Sequence, residues 1–179
     1  MSYLIVSFDP GVVNFGVACL ICDIHGNISL EYSETFNVKG RRSHEPSLMM
    51  EMMTKVGGEV TRIETSINTD NPTIWVLEYQ PPLATRSNPG LVRMNTWVEA
   101  FIETWLMLKE KPYRVIASST VKKHFNFPVA ARDTQYSSNK KHTILIATGI
   151  VGSRGLNDHI ADCVLNGAYV SSTITGNRI

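Results

Sequence analysis

Four carboxylates are spaced along this chain as the parts of a cation-binding centre would be. Asp9 closes an apolar run and is followed at once by Pro10-Gly11, where the backbone must turn sharply and leave the carboxylate projecting from a strand end. Glu78 closes a second apolar run, Thr73-Ile74-Trp75-Val76-Leu77-Glu78, in the same way. Asp158 and Asp162 stand four residues apart in a late helical segment and share one face, while His159 and Asp162, three apart, nearly do. Carboxylate oxygens suit a hard divalent cation. Acids at two strand ends, joined by an acid pair on a late helix, are the parts of a two-metal phosphodiester site. There, two cations about 3.5–4 Å apart activate a water and stabilise the leaving oxygen. Each acid taken alone reads as structural or solvent-facing, and at one position that role is specific, because Asn157 reads as a helix N-cap and Asp158 as a first-turn acid complementing the helix dipole. Asp162 lies too far into the helix for that account.

Bringing these groups together requires particular elements. Tyr3 to Asp9 and Phe15 to Cys22 read as strands separated by a turn, and Asp23-Ile24-His25-Gly26-Asn27 supplies hairpin chemistry leading into a third strand, Ile28 to Val38. A helix follows, with Ser47 as its cap and Leu48, Met52, Val56, Val60 and Ile63 at spacings of three or four. Its methionines read as core filler. Thr73 to Glu78 is a short apolar strand of the kind buried inside a parallel sheet. A polar loop from Gln80 to Pro89 leads to a helix over Leu91 to Lys109 that carries Val92, Trp97, Phe101, Trp105 and Leu108, with Pro112 beyond its end. A fifth strand spans Tyr113 to Ala117, a short helix Thr120 to Phe125, a loop Asn126 to Asn139, and two closing helices Lys140 to Thr148 and Asn157 to Ser172. The order predicts an α/β fold with a mixed five-stranded sheet, an antiparallel meander plus two parallel strands, flanked by helices. Asp9 and Glu78 reach one sheet edge if the first and fourth strands are neighbours.

Composition narrows the function classes. A length of 179 residues fits one domain spanning the chain, with 43% apolar and 18% charged residues, which excludes disorder. The absence of a basic leader or a long apolar run disfavours export and membrane spanning. Cys19, Cys22 and Cys163 cannot all pair, which suits an intracellular reducing compartment, and the C-x-x-C spacing within a strand directs Cys19 and Cys22 to opposite faces. The net charge of +1 conceals an uneven division. Between Tyr79 and His142 ten basic residues face four acidic ones, a net of +6, which leaves −5 for the remainder. A basic middle beside an acidic remainder serves a protein that meets phosphate on one surface and holds a cation nearby.

Several segments resemble one family. Phe8-Asp9-Pro10-Gly11-Val12-Val13-Asn14-Phe15-Gly16-Val17-Ala18 resembles the opening motif of RuvC-type Holliday junction resolvases. Val76-Leu77-Glu78-Tyr79-Gln80-Pro81-Pro82, with Arg86 beyond, is similar to the second-acid motif of the poxvirus and mitochondrial branch. Ser119-Thr120-Val121-Lys122-Lys123 resembles the segment with a DNA-contacting lysine, Lys140-Lys141 falls where a second basic position is usual, and Asp158-His159-Ile160-Ala161-Asp162 resembles the closing D/H-x-x-D motif.

The resemblance implies an RNase H-like fold, a homodimer, and paired cuts across a four-way DNA junction with Mg²⁺, or Mn²⁺, as cofactor. Its site would comprise Asp9, Glu78, Asp158, His159 and Asp162, with Tyr79, Gln80, Arg86, Lys122, Lys123, Lys140 and Lys141 contacting DNA. The branch points to a viral or phage source. The family's closing acids are three apart, which puts His159 in the metal-proximal position in competition with Asp158. Imidazole is a poor magnesium ligand but a capable proton carrier or manganese ligand. The doubled lysines leave each pair open. Two rivals share some of these features. An RNA-processing relative or single-strand nuclease would carry the same acids, and D-x-G-x-x-x-x-G at Asp9, Gly11 and Gly16 also resembles the phosphate hairpin of actin-like ATPases and sugar kinases, which need a second domain.

Overall fold

The computed structural model describes residues 2–39, 45–67, 71–80, 89–128 and 135–176. The first three strands are β1 (Ser2–Pro10), β2 (Phe15–Asp23) and β3 (Ile28–Phe36), an antiparallel meander. The β2–β3 turn closes on Asp23, whose Oδ1 accepts from the amides of His25 at 2.8 Å and Asn27 at 2.9 Å. Helix α1 (Glu45–Ser66) leads to β4 (Thr73–Glu78), which lies parallel to β1 with Phe8 opposite Leu77. Helix α2 (Pro89–Leu108) then leads to β5 (Tyr113–Ile116), parallel to β4. The sheet order is β3-β2-β1-β4-β5, so the first and fourth strands are neighbours as the acids require. Helices α3 (Ser118–His124), α4 (Gln135–Val151) and α5 (Asp158–Thr175) complete the chain.

Alternation along the strands sorts their side chains onto two faces. Leu4, Val6 and Phe8 of β1 join Trp75 and Leu77 of β4 in a core under α1 and α2. Tyr3 and Ile5 join Val76 in a second core under α3, α4 and α5. Asp9 and Glu78 continue this second series, so both carboxylates project to the α5 side. Cys19 and Cys22 separate onto the two cores as their spacing predicts, and all three cysteines are free.

The boundaries differ from the sequence expectation in places. Helix α1 starts at Glu45, with Pro46 in its first turn, where a missing amide is harmless; Ser47 is therefore inside the helix and not its cap. Helix α4 starts at Gln135, within what reads as a loop, because its polar first turns carry little apolar periodicity. Of the methionines in α1, Met52 is core, whereas Met50 is 67% exposed. Helix α5 is capped as expected: Asn157 Oδ1 accepts from the Ile160 amide at 2.9 Å, and Gly176 ends the helix in the left-handed conformation.

Candidate active site

Helix α5 crosses β1 and β2 closely because the sheet offers it small residues. Gly16, paired with Asp9 across the β1–β2 ladder, lies directly under the first turn of α5. A Cβ there would stand 3.0 Å from the His159 carbonyl oxygen, 3.1 Å from His159 Cβ and 3.2 Å from Cys163 Sγ. Two turns on, Gly167 admits the Leu20 and Ile5 side chains, with Leu20 Cδ1 only 2.5 Å from where its own Cβ would be. Asn157 adds a lateral tie, its Nδ2 donating to Thr35 Oγ1 on β3 at 3.0 Å.

This close approach places one polar stripe of α5, His159, Asp162 and Asn166, against the two strand-end acids. His159 Nδ1 and Asp9 Oδ2 are 2.8 Å apart. Asn166, 2% exposed, donates from Nδ2 to Glu78 Oε2 at 3.0 Å. The acids are near enough to disturb one another. Burial, then the charges of Asp9 and Asp162, push the Glu78 carboxyl up to about 8. Burial and Asp9 push Asp162 up to about 6. Lys122 on α3 pulls against both shifts, which puts its ammonium within electrostatic reach of the pair. The hydrogen bond to Asp9 raises the His159 imidazole above its ordinary value against the effect of burial. Beneath them Cys163 is fully buried, and desolvation with the neighbouring acids holds its thiol well above the usual range.

Asp158 faces elsewhere. It is ion-paired with Lys140, and its Oδ1 is 3.9 Å from His159 Nε2. Burial would raise its carboxyl, but the Lys140 ammonium and His159 more than offset that and hold it below the ordinary value. Of the two neighbours, then, His159 is the one that touches Asp9. Of the lysine pairs, Lys122 is half-buried within electrostatic reach of the acids and Lys123 is exposed, while Lys140 is engaged with Asp158 and Lys141 is exposed. Tyr79 is 44% exposed, and the Gln80 amide donates to Glu99 Oε2 at 2.9 Å. Arg86 lies outside the described residues.

The donor set of carboxylate oxygens has the chemistry of a Mg²⁺ or Mn²⁺ site. Among the described residues, no three His, Cys, Asp or Glu side chains stand close enough together to enclose an ion as placed. The sequence reading missed Asn166 and Glu99. Both carried a signal, a polar residue in the buried stripe of a helix: Asn166 follows Asp162 by four, and Glu99 precedes Ile102 and Leu106 by three and seven.

The same architecture recurs in solved structures. Thermus thermophilus RuvC matches with a TM-score of 0.70 and 17% identity, over 98% of this chain and 97% of that one. The chain has the fold of the RuvC resolvases. The same enzyme in complex with a Holliday junction substrate matches at 0.69 with 16% identity, over 98% and 97% of the two chains. The yeast mitochondrial Holliday junction resolvase Ydc2 matches at 0.61 with 12% identity, over 96% of this chain and 79% of that one. Fowlpox virus resolvase, in complex with its junction substrate, matches at 0.56 with 16% identity, over 94% and 99%. The expected RNase H-like class is therefore the observed one. No protein-family model matches the sequence, and no curated protein sequence is significantly similar to it.

Proposed function

We propose that this protein is a metal-dependent endonuclease that resolves four-way DNA junctions. The observation that carries the reading is the convergence of Asp9, Glu78 and Asp162 at one sheet edge, where the charges of Asp9 and Asp162 hinder ionisation of Glu78 and that of Asp9 hinders ionisation of Asp162. Such crowding disfavours the charged forms in the free protein and favours a divalent cation. The RuvC fold, and junction DNA bound to two of its similar structures, support the substrate class.

Asp9, Glu78 and Asp162 would hold Mg²⁺, with Mn²⁺ as the alternative; the bound cation would supply charge for the phosphate and acidify a water. His159, on Asp9 Oδ2, orients that carboxylate and has an imidazole suited to carrying a proton. Asn166 fixes the Glu78 rotamer. Asp158 acts through Lys140 and His159 and is not a direct ligand in this reading. Lys122, within electrostatic reach of the acids, would meet the phosphate next to the scissile bond, and exposed Lys123, Lys141 and Tyr79 would extend the contact outward, so binding weakens as salt rises. A C₂ dimer would place two such sites to nick opposed strands of a two-fold symmetric junction.

Cleavage of a synthetic four-way junction tests this. Asp9→Asn, Glu78→Gln and Asp162→Asn are each expected to reduce Mg²⁺-dependent cleavage to background while gel-shift binding persists. Cleavage at the parental rate by any of them removes that residue from the site. Assays of forks, duplex and RNA at the same salt concentration test the junction preference, which an equal rate on single strands would overturn.

A further inference from the structure

Beyond the row where Phe8 pairs with Leu77, β1 and β4 share no further ladder pairs. Asp9 remains paired to Gly16 of β2, and Glu78 to Ile116 of β5. The sheet thus opens between its two halves at the row that carries the two acids; α5 holds their side chains, and the spacing of the backbone beneath them must be set elsewhere.

Helix α2 spans that opening from the face opposite α5. Asn95 and Glu99 lie four residues apart and so share one side of the helix. Asn95 Oδ1 accepts from the Val12 amide at 3.1 Å, three residues past Asp9. Glu99 Oε2 accepts from the Gln80 amide at 2.9 Å, two residues past Glu78. Val12 is 1% exposed, and its carbonyl in turn takes the Val38 amide at 3.1 Å, so the bonded loop is itself packed in place. Glu99 is only 6% exposed and sits beside fully buried Val98 and Ile102. A carboxylate in such a place is costly unless it is bonded, and its bond to an amide is stronger than that of a neutral acceptor.

We propose that Asn95 and Glu99 are positioning residues that fix the spacing of the Asp9 and Glu78 carboxylates by tying both strand exits to one helix. This rests on the reading of those acids as cation ligands. Neither residue touches the acids; each acts on the backbone that carries one of them. Loss of either tie frees one half of the split sheet edge relative to the other, and the first property to suffer is cation affinity.

The test is Mn²⁺ binding by calorimetry on the full chain, with folding checked by circular dichroism and junction cleavage followed in parallel. Glu99→Ala and Asn95→Ala are expected to weaken Mn²⁺ binding about 10-fold, the lower end of what loss of a group bonded directly to a ligand costs. The Mn²⁺ concentration for half-maximal cleavage should rise by a similar factor. Glu99→Gln and Asn95→Asp keep an acceptor oxygen and should restore affinity to near the parental value. If Glu99→Ala does not fold, the Asn95 pair decides. Folded alanine variants that bind Mn²⁺ as the parent does, or conservative variants as impaired as the alanines, overturn the positioning role alone. A parent chain that binds no Mn²⁺ overturns the cation reading and the positioning role with it.

Discussion

Alternate residues of the same strands build two sheet faces that bury very different material. Under α1 and α2, Phe8 stacks on Trp75 at 5.7 Å, Phe15 on Phe36 at 4.6 Å, and Trp75 meets the edge of Trp105 at 5.7 Å. Under α5 the sheet offers Ser7, Gly16 and Ala18, and the helix answers with Ala161, Asn166, Gly167 and Ala168, all buried. Large side chains hold α1 and α2 off the sheet and supply hydrophobic stabilisation. Small ones let α5 settle close enough for its polar groups to reach Asp9 and Glu78. The α5 face keeps an apolar core of its own around Ile5, Leu20 and Leu165, but where its small residues meet the strand-end acids it spends stability on crowded charge, as expected where function sits.

Substitutions on the two faces should separate these roles. Leu106→Ala, a fully buried side chain of α2 away from the acids, should cost roughly 2–5 kcal/mol by urea denaturation and leave cleavage per folded molecule unchanged. Gly16→Val should cost less stability, about 1–3 kcal/mol for forced overpacking, and far more activity. Its branched side chain would meet the His159 backbone and Cys163 Sγ, and α5 would have to lift its first turn off Asp9. Full junction cleavage by Gly16→Val would break the contrast, since it would mean that close approach of α5 is dispensable.

Much of this was legible in the residues because it follows from local rules. Alternation and turn chemistry mark β1 to β5, and the apolar run into Glu78 marks a central strand; adjacency of β1 and β4 then needed only the topology to bear it out. Asp9, Glu78 and Asp162 were visible only in combination, since each alone reads as a structural or solvent-facing acid and together they are the parts of a two-metal site. Less legible were contacts that exist only in three dimensions. Sequence spacing put Asp158 and His159 on a par, and it is the packing of α5 over Gly16 that turns His159 to Asp9 and leaves Asp158 to Lys140. Glu99 and Asn95 look like ordinary polar positions of a helix until the split of the sheet beyond Phe8 and Leu77 is known. The start of α4 was hidden because polar first turns have no periodicity to read.

The smallest effect in energy has the opposite sign and so sharpens the contrast most. Glu78 is raised to about 8 and Asp162 to about 6, so between their ordinary carboxylate values and these the cation-free folded chain binds more protons than the unfolded one. Stability therefore falls as pH rises through that window. His159 adds to the fall, because a raised imidazole contributes most below its unfolded value and loses that contribution as pH passes its folded one. Asp158, held low, works the other way, and its contribution is lost only on acidification. The thermal midpoint measured without divalent cations should thus decline from about pH 5 to about pH 8, and saturating Mg²⁺ should reduce the slope by binding the ionised acids. Asp162→Asn removes one crowded charge, so near pH 8 it should stabilise the cation-free chain by about 0.5–2 kcal/mol, flatten the decline and abolish cleavage. A destabilised Asp162→Asn at that pH would mean that attraction and not crowding governs the carboxylate, and the two faces would no longer differ in what they do for stability.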